Sequence, residues 1–176
     1  MNIKIKRVLF SQRSIALRVR NIAEEIDAMY AGEPLVMICV LKGAFMFFSD
    51  LMKKITIRPE IDFVRVAGYG ASTCPSGTIR FTKDVEIPLA GKHVLLVEDI
   101  VDSGRAMDFL MRKMADRGAK SLRLAALIDK RERREEDVRV DFSGFTLASG
   151  FVVGYGLDCA EQFRNLPAVH LAVVEQ

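Results

Sequence analysis

The sequence predicts an α/β fold: a mainly parallel, twisted sheet flanked by helices, with a long hairpin loop. Three observations lead there. Short continuous apolar runs, residues 35–41 (LVMICVL) and 94–97 (VLLV), read as strands buried on both faces. Segments with apolar residues every three or four positions alternate with them, as helices packed on a parallel sheet do. The polar and glycine-containing clusters follow the strands directly, where open α/β sheets bind ligands.

In chain order, Ser11 can cap a helix in which Ile15, Val19, Ile22, Ile26 and Met29 recur on one face, and Gly32 is placed to stop it. The run 35–41 is a central strand, Lys42-Gly43 follows it, and residues 44–54 form a helix. Residues 61–67 read as a strand and 68–77 (GYGASTCPSG) as a loop, with 78–81 as the return arm of a long hairpin. The run 94–97 is the next strand. It leads through Glu98-Asp99 to Asp102-Ser103-Gly104 and a helix with Met107, Leu110, Met111 and Met114 on one face, ended by Gly118. Strands follow over 121–128, 151–155 and 170–174.

With 176 residues, 50% hydrophobic and 28% charged, the chain suits a single globular domain over 1–176. Its 26 Lys and Arg against 23 Asp and Glu leave a net charge of +3, too small an excess to argue for nucleic acid. A few cations gathered in one cleft would instead suit a small polyanion. Cys39, Cys74 and Cys159 lack metal-ligand spacing and read as reduced thiols of a cytoplasmic protein. No segment approaches the roughly 20 apolar residues of a membrane span, and the N-terminus lacks the apolar core of a signal peptide.

Chemistry concentrates in residues 94–107 (VLLVEDIVDSGRAM). A glycine-containing turn entering a helix presents backbone N–H groups to a phosphate, and Ser103 adds a hydroxyl. Glu98 and Asp99 stand just before it and can accept hydrogen bonds from a vicinal diol. The bland alternative is that these acids simply cap the next helix. Elsewhere the residues alone are less specific. Lys42 suits a solvated strand end, Lys130 opens the charged run KRERREEDVR of a solvated face, Phe151 suits a core, and Asp158 and Arg164 suit an ion pair.

The segment VEDIVDSGRAM resembles the phosphoribosyl pyrophosphate motif of type I phosphoribosyltransferases. VLKGAFMFFSDL, YGASTCPSGTIRFTKD and FVVGYGLDCAEQFRNLP, in that order, resemble the hypoxanthine-guanine branch, so the likeness spans about residues 35–174. It implies transfer of a 5-phosphoribosyl group from phosphoribosyl pyrophosphate to a 6-oxopurine. Alternatives are a non-catalytic regulator of the same fold and a transferase for another base, such as xanthine, orotate or adenine.

The resemblance also implies roles. Glu98 and Asp99 hold the ribose hydroxyls. Asp102, Ser103, Gly104, Arg105 and Ala106 wrap the 5-phosphate, and Asp102 is the catalytic partner of purine N7. Lys42 and Gly43 form a pyrophosphate loop with a cis peptide between them, and Arg164 contacts the pyrophosphate. Lys130 donates to purine O6, Phe151 stacks on the base, and backbone at Val152 and near Asp158 reads its edge. Mg²⁺ is the implied cofactor, with Asp158, Glu98 and Asp99 as candidate ligands. A mobile loop at about 68–78, including Gly68 and Tyr69, closes over the site, and the N-terminal segment with about 150–176 forms the hood. Ala67-Gly68 stands where the branch usually has serines, and Cys159 where an aromatic is common. The apolar LKGAFMFF suits either a core helix or a subunit contact, and a homodimer or homotetramer is expected.

Overall fold

The computed structural model describes residues 2–68 and 79–175. A six-stranded sheet forms the body: β2 (Leu35–Val40), β3 (Glu60–Gly68), β4 (Ile79–Lys83), β5 (His93–Val101), β6 (Ser121–Lys130) and β7 (Phe142–Leu147). Their order is β4-β3-β2-β5-β6-β7; all neighbours are parallel except the edge hairpin β3–β4. A separate antiparallel sheet joins β1 (Asn2–Phe10), β9 (Val169–Glu175) and β8 (Phe151–Val153) in that order.

Helices cover both faces of the larger sheet, which is why its central strands are apolar throughout. Along β2, β5 and β6 the side chains alternate between two cores. Met37, Cys39, Leu95, Val97, Ala125 and Leu127 face α1 (Gln12–Met29) and α2 (Phe45–Met52). Ile38, Val40, Leu96, Leu124 and Ala126 face α3 (Arg105–Ala115), which contributes Met107, Leu110 and Met114. Each large side chain buried this way is worth about 1.5–3 kcal/mol of transfer free energy.

Ser11 caps α1 as expected, its Oγ accepting from the Ser14 N–H at 3.2 Å. The buried stripe is Ile15, Val19, Ile22, Ala23 and Ile26; Met29 falls outside it and is exposed, and Tyr30 at the helix end is buried in its place. Gly32 and Gly118 take positive φ just beyond α1 and α3. Strand β5 runs four residues past the apolar run, so Glu98 and Asp99 lie within a strand.

Two strands, β1 and β7, have no clear signature in the sequence. β1 carries Lys4, Lys6 and Arg7 among its apolar residues and is recognisable only through its pairing with β9, which is interrupted by two irregularities. β7 contains Ser143 and Gly144, and a Cβ at Gly144 would sit 2.4 Å from the Leu127 carbonyl oxygen. The close approach of β6 makes glycine necessary and hides the strand from a propensity argument.

The strand order reverses direction between β2 and β5. Their carboxyl ends therefore open a crevice at the centre of the sheet, where doubly wound sheets bind ligands. Lys42-Gly43 leaves one of these ends and Glu98-Asp99 lies at the other.

Candidate active site

Gly43 is fixed by contact. A Cβ there would fall 1.7 Å from Asp99 Oδ2, and a Cβ at Gly156 would fall 2.0 Å from the Gly43 carbonyl oxygen. The loop after β2 thus packs its backbone against the Asp99 side chain at the end of β5 and against the backbone of the turn after β8, and the backbone contact at Gly156 leaves no room for a Cβ. The Leu41-Lys42 peptide is the cis bond. This corrects the expected Lys42-Gly43 position by one residue, and leaves Gly43 to make the backbone approach to Asp99.

Beyond β5 the chain turns through Asp102-Ser103-Gly104 into α3. Gly104, at φ 86°, has no room for a side chain: a Cβ would lie 2.7 Å from the Glu136 carbonyl oxygen. Ser103 O accepts from the N–H groups of Glu135 (2.8 Å) and Glu136 (3.0 Å), which pins the following loop over the turn. A cavity of about 190 Å³ lies at the helix start, lined by Glu98, Asp102, Ser103, Gly104, Ala106 and Met107 among others. The first N–H groups of a helix have no intrahelical acceptors, so this concavity suits an anion.

A second cavity, about 210 Å³, adjoins it, sharing Ile100 and Asp102. Asp99, Lys130, Arg133, Gly150, Phe151, Val152, Leu157 and Asp158 complete its walls. Phe151 is 40% exposed, so its ring is not a core aromatic. Lys130 is 5% exposed, which overturns the solvated-face reading for this residue, while Arg131, Glu132 and Arg133 after it are exposed as that reading expects. Its Nζ stands 3.5 Å from Asp102 Oδ2 and 3.4 Å from Glu132 Oε2. Asp102 Oδ2 also accepts from Arg133 Nε at 3.1 Å and from Arg133 Nη2. Asp102 Oδ1 is buried and accepts no hydrogen bond, although Lys130 Nζ stands 3.5 Å from it as an ion-pair contact. Burial pushes the Asp102 carboxyl up, but the hydrogen bond from Arg133 and the charges of Lys130 and Arg133 outweigh it and hold the group below the usual carboxylate range.

Two arginines of the charged run were not singled out by the sequence and hold this corner. Arg134 donates to Asp102 O (3.0 Å), Val101 O (3.1 Å), Lys130 O (3.1 Å) and Asp129 Oδ1 (2.5 Å), tying the turn to the end of β6. Arg133 faces Asp102 directly. The one available signal was position: the run begins at Lys130, which with Asp129 ends a strand whose residues 124–128 are all apolar.

Lys42 and Arg164 meet outside both cavities. Lys42 Nζ is 3.0 Å from Glu161 Oε2, and Arg164 Nη2 is 3.2 Å from the same oxygen. Arg164 also reaches Asp158 Oδ1 at 2.8 Å and donates to Gly156 O at 2.7 Å. The Glu161 carboxyl is held below its ordinary range by the hydrogen bonds from Lys42 and Arg164. No local pattern in the sequence pointed to Glu161. Arg105 points away from the cavities; it pairs with Glu135 and lines an outer groove with Ile79 and Phe109. Its side chain begins the helix on the outer side, so only its backbone can face the cradle. Gly68 ends β3 opposite Ile79, whereas Tyr69 and the rest of the expected 68–78 loop lie outside the described residues.

Glu98 and Asp99 are each 8% exposed and, among the described residues, form no ion pair with a basic side chain. Burial, then the neighbouring Asp99, pushes the Glu98 carboxyl up. Two buried acids without a cationic partner suit a hard divalent ion such as Mg²⁺, which takes oxygen ligands and retains waters. The three expected ligands do not converge: no group of three or more His, Cys, Asp or Glu side chains among the described residues could hold a metal. Glu98 and Asp99 line different cavities, and Arg164 engages Asp158. Burial, with Glu98 and Asp99 nearby, pushes the Cys39 thiol up to about 12, so it is no nucleophile.

A family model described as the phosphoribosyl transferase domain matches residues 8–160. The hypoxanthine-guanine phosphoribosyltransferase of Bacillus subtilis (strain 168) is 41% identical over 94% of this chain and 92% of its own. That of Streptococcus thermophilus is 39% identical over the same shares. Among solved structures, a hypoxanthine-guanine phosphoribosyltransferase from Bacillus anthracis superposes with a TM-score of 0.90 at 39% identity, covering 98% of this chain and 100% of that one. A hypoxanthine phosphoribosyltransferase from Staphylococcus aureus gives 0.90 at 35% identity, covering 95% and 91%.

Proposed function

The chain belongs to the phosphoribosyltransferase family, in its hypoxanthine-guanine branch, and from that premise we infer that it is a purine-salvage enzyme. It moves the 5-phosphoribosyl group from phosphoribosyl pyrophosphate to hypoxanthine or guanine, giving IMP or GMP and pyrophosphate. The observation that carries the reading is the pair of adjoining cavities at the sheet's switch point, one on the N-terminus of α3 and one beside Lys130 and Phe151, with Asp102 lining both.

In the proposed reaction the 5-phosphate sits on the Ser103–Ala106 backbone, and Glu98 and Asp99 accept from the ribose hydroxyls. The bond from ribose C1 to pyrophosphate breaks as purine N9 bonds to C1. The proton at purine N7 passes to, or is shared with, Asp102 Oδ1, the oxygen that accepts no hydrogen bond within the protein. Lys130 donates to O6 and disfavours an exocyclic amine there, because two donors face each other. Phe151 supplies the stacking face, and backbone at Val152 and near Asp158 meets the edge of the base. Lys42, Gly43 and Arg164 receive the pyrophosphate. Asp158, Glu98 or Asp99 would supply a carboxylate to Mg²⁺, which would contribute neutralisation of charge on the leaving group.

The three-stranded sheet that carries Phe151 is the hood in this reading, and the chain works as one domain. Exposed Phe45 on α2 supports a subunit contact and hence a homodimer or homotetramer. No helix among the described residues is long and apolar enough to cross a membrane, and the free thiols Cys39 and Cys159 support a cytoplasmic setting.

Steady-state kinetics with hypoxanthine, guanine and xanthine test the reading. Turnover with at least the first two is expected, together with thermal stabilisation by IMP and GMP but not by AMP or OMP. Stabilisation by AMP or OMP alone would overturn it.

A further inference from the structure

The two cations assigned above to pyrophosphate share an anion of the protein's own. Glu161 Oε2 bridges Lys42 Nζ at 3.0 Å and Arg164 Nη2 at 3.2 Å. Lys42 is 119 residues away in sequence, and Glu161 is its ion-pair partner among the described residues. The backbone around Glu161 is unusual. Ala160, Glu161 and Phe163 adopt φ of 49°, 65° and 73°, a region that non-glycine residues seldom enter. The Glu161 N–H donates to Asp158 Oδ2 at 2.8 Å, which holds this turn against the other acid of the network. The carboxylate is therefore aimed at the cations by the local fold rather than meeting them as a loose surface side chain.

A carboxylate oxygen accepts from an ammonium and a guanidinium just as a phosphoryl oxygen does. Pyrophosphate carries several negative charges and cannot share both cations with Glu161 without strong repulsion. We propose that Glu161 is an internal competitor for the pyrophosphate subsite. Its carboxylate leaves Lys42 and Arg164 as pyrophosphate arrives and takes them back as pyrophosphate departs. With 62% of its side chain exposed, Glu161 moves into water at small cost, as an exchange of this kind requires. The residue lowers affinity for pyrophosphate and its ester and eases product release. The inference rests on the assignment of Lys42 and Arg164 to pyrophosphate.

The test is titration calorimetry of inorganic pyrophosphate, with and without Mg²⁺, into the wild-type chain and into Glu161→Gln and Glu161→Ala. Both variants should bind pyrophosphate about threefold to tenfold more tightly, the range expected when two exposed charge pairs no longer compete. IMP, which places no group on Lys42 or Arg164, should bind all three within about twofold, a change below the usual worth of one exposed pair. The KM for phosphoribosyl pyrophosphate should fall with no rise in kcat. If Glu161 merely braced the loop, removing it would weaken pyrophosphate binding. Unchanged or weaker binding in either variant, in a wild type that is active, overturns the proposal and leaves the transferase reading intact. A wild type inactive on all three bases would overturn that reading itself.

Discussion

The two sides of the crevice are built by opposite means. On the α3 side a buried strand, a short turn and a helix N-terminus fix the backbone, and Gly104 meets the turn's one demand for positive φ. On the Asp158–Arg164 side there is no regular element. Ala160, Glu161 and Phe163 take positive φ without being glycine, and Lys42, Asp158, Glu161 and Arg164 neutralise one another. The first side is preorganised by packing, so it can hold a phosphate and a reacting carbon in place at little cost in reorganisation. The second is held by partly exposed charge pairs, individually worth about 0.2–1 kcal/mol, and can rearrange around a leaving group.

Substitutions should separate the two. The largest effect belongs to Asp102→Asn. An amide cannot take the N7 proton, so kcat should fall about 10²–10⁴-fold, with much less change in IMP affinity. Near wild-type kcat would remove Asp102 from the chemistry. Lys130→Ala comes next. Loss of a hydrogen bond from a charged donor costs about 1.5–3 kcal/mol, so the KM for the base should rise about tenfold to a hundredfold, with that for phosphoribosyl pyrophosphate nearly unchanged. Equal losses for both substrates would make the lysine a structural or general electrostatic group.

Gly104→Ala tests the rigid side directly. The clash with Glu136 O and the positive φ should lower unfolding stability by about 1–3 kcal/mol and weaken IMP, as chemical denaturation and calorimetry would show. Arg133→Gln tests the electrostatics of Asp102, which is faced by Arg133 and Lys130 and by Arg134 on its backbone carbonyl. Asp102 must be ionised to accept a proton, so activity disappears as pH falls through its folded value. That value is held low, and removing Arg133 raises it. The acid limb of kcat/KM should therefore move to higher pH; a limb that stays in place would deny Arg133 this role. The smallest effect should come from Ala160→Gly on the irregular side. Relief of positive φ offsets the greater entropy of unfolded glycine, so stability should change by less than about 1 kcal/mol, in contrast to Gly104→Ala. A large loss there would mean that the segment is as rigid as the helix start.

The chain reported some of this in its own order of residues. The apolar runs of β2 and β5, the stripe of α1 and the passage from Glu98 through Gly104 into α3 are periodicities and turn chemistries set by near neighbours, and they can be read locally. The adjacency of Glu98, Asp99, Asp102 and the helix N-terminus follows from that one stretch. Tertiary structure alone decided the rest. Strands β1 and β7 have mixed composition and become strands because β9 and β6 offer them backbone partners. Lys130 and Arg134 read as solvent-facing charges, yet the first is buried and the second half-buried, with Asp102, Asp129 and nearby carbonyls accepting from them. Arg133 meets Asp102 across 31 residues and Lys42 meets Glu161 across 119. A charge interaction depends on separation in space and on the dielectric between the groups, neither of which has a period along the chain. The local pattern could therefore specify where the crevice would open, while the partners of each charge inside it awaited the packing of the whole sheet.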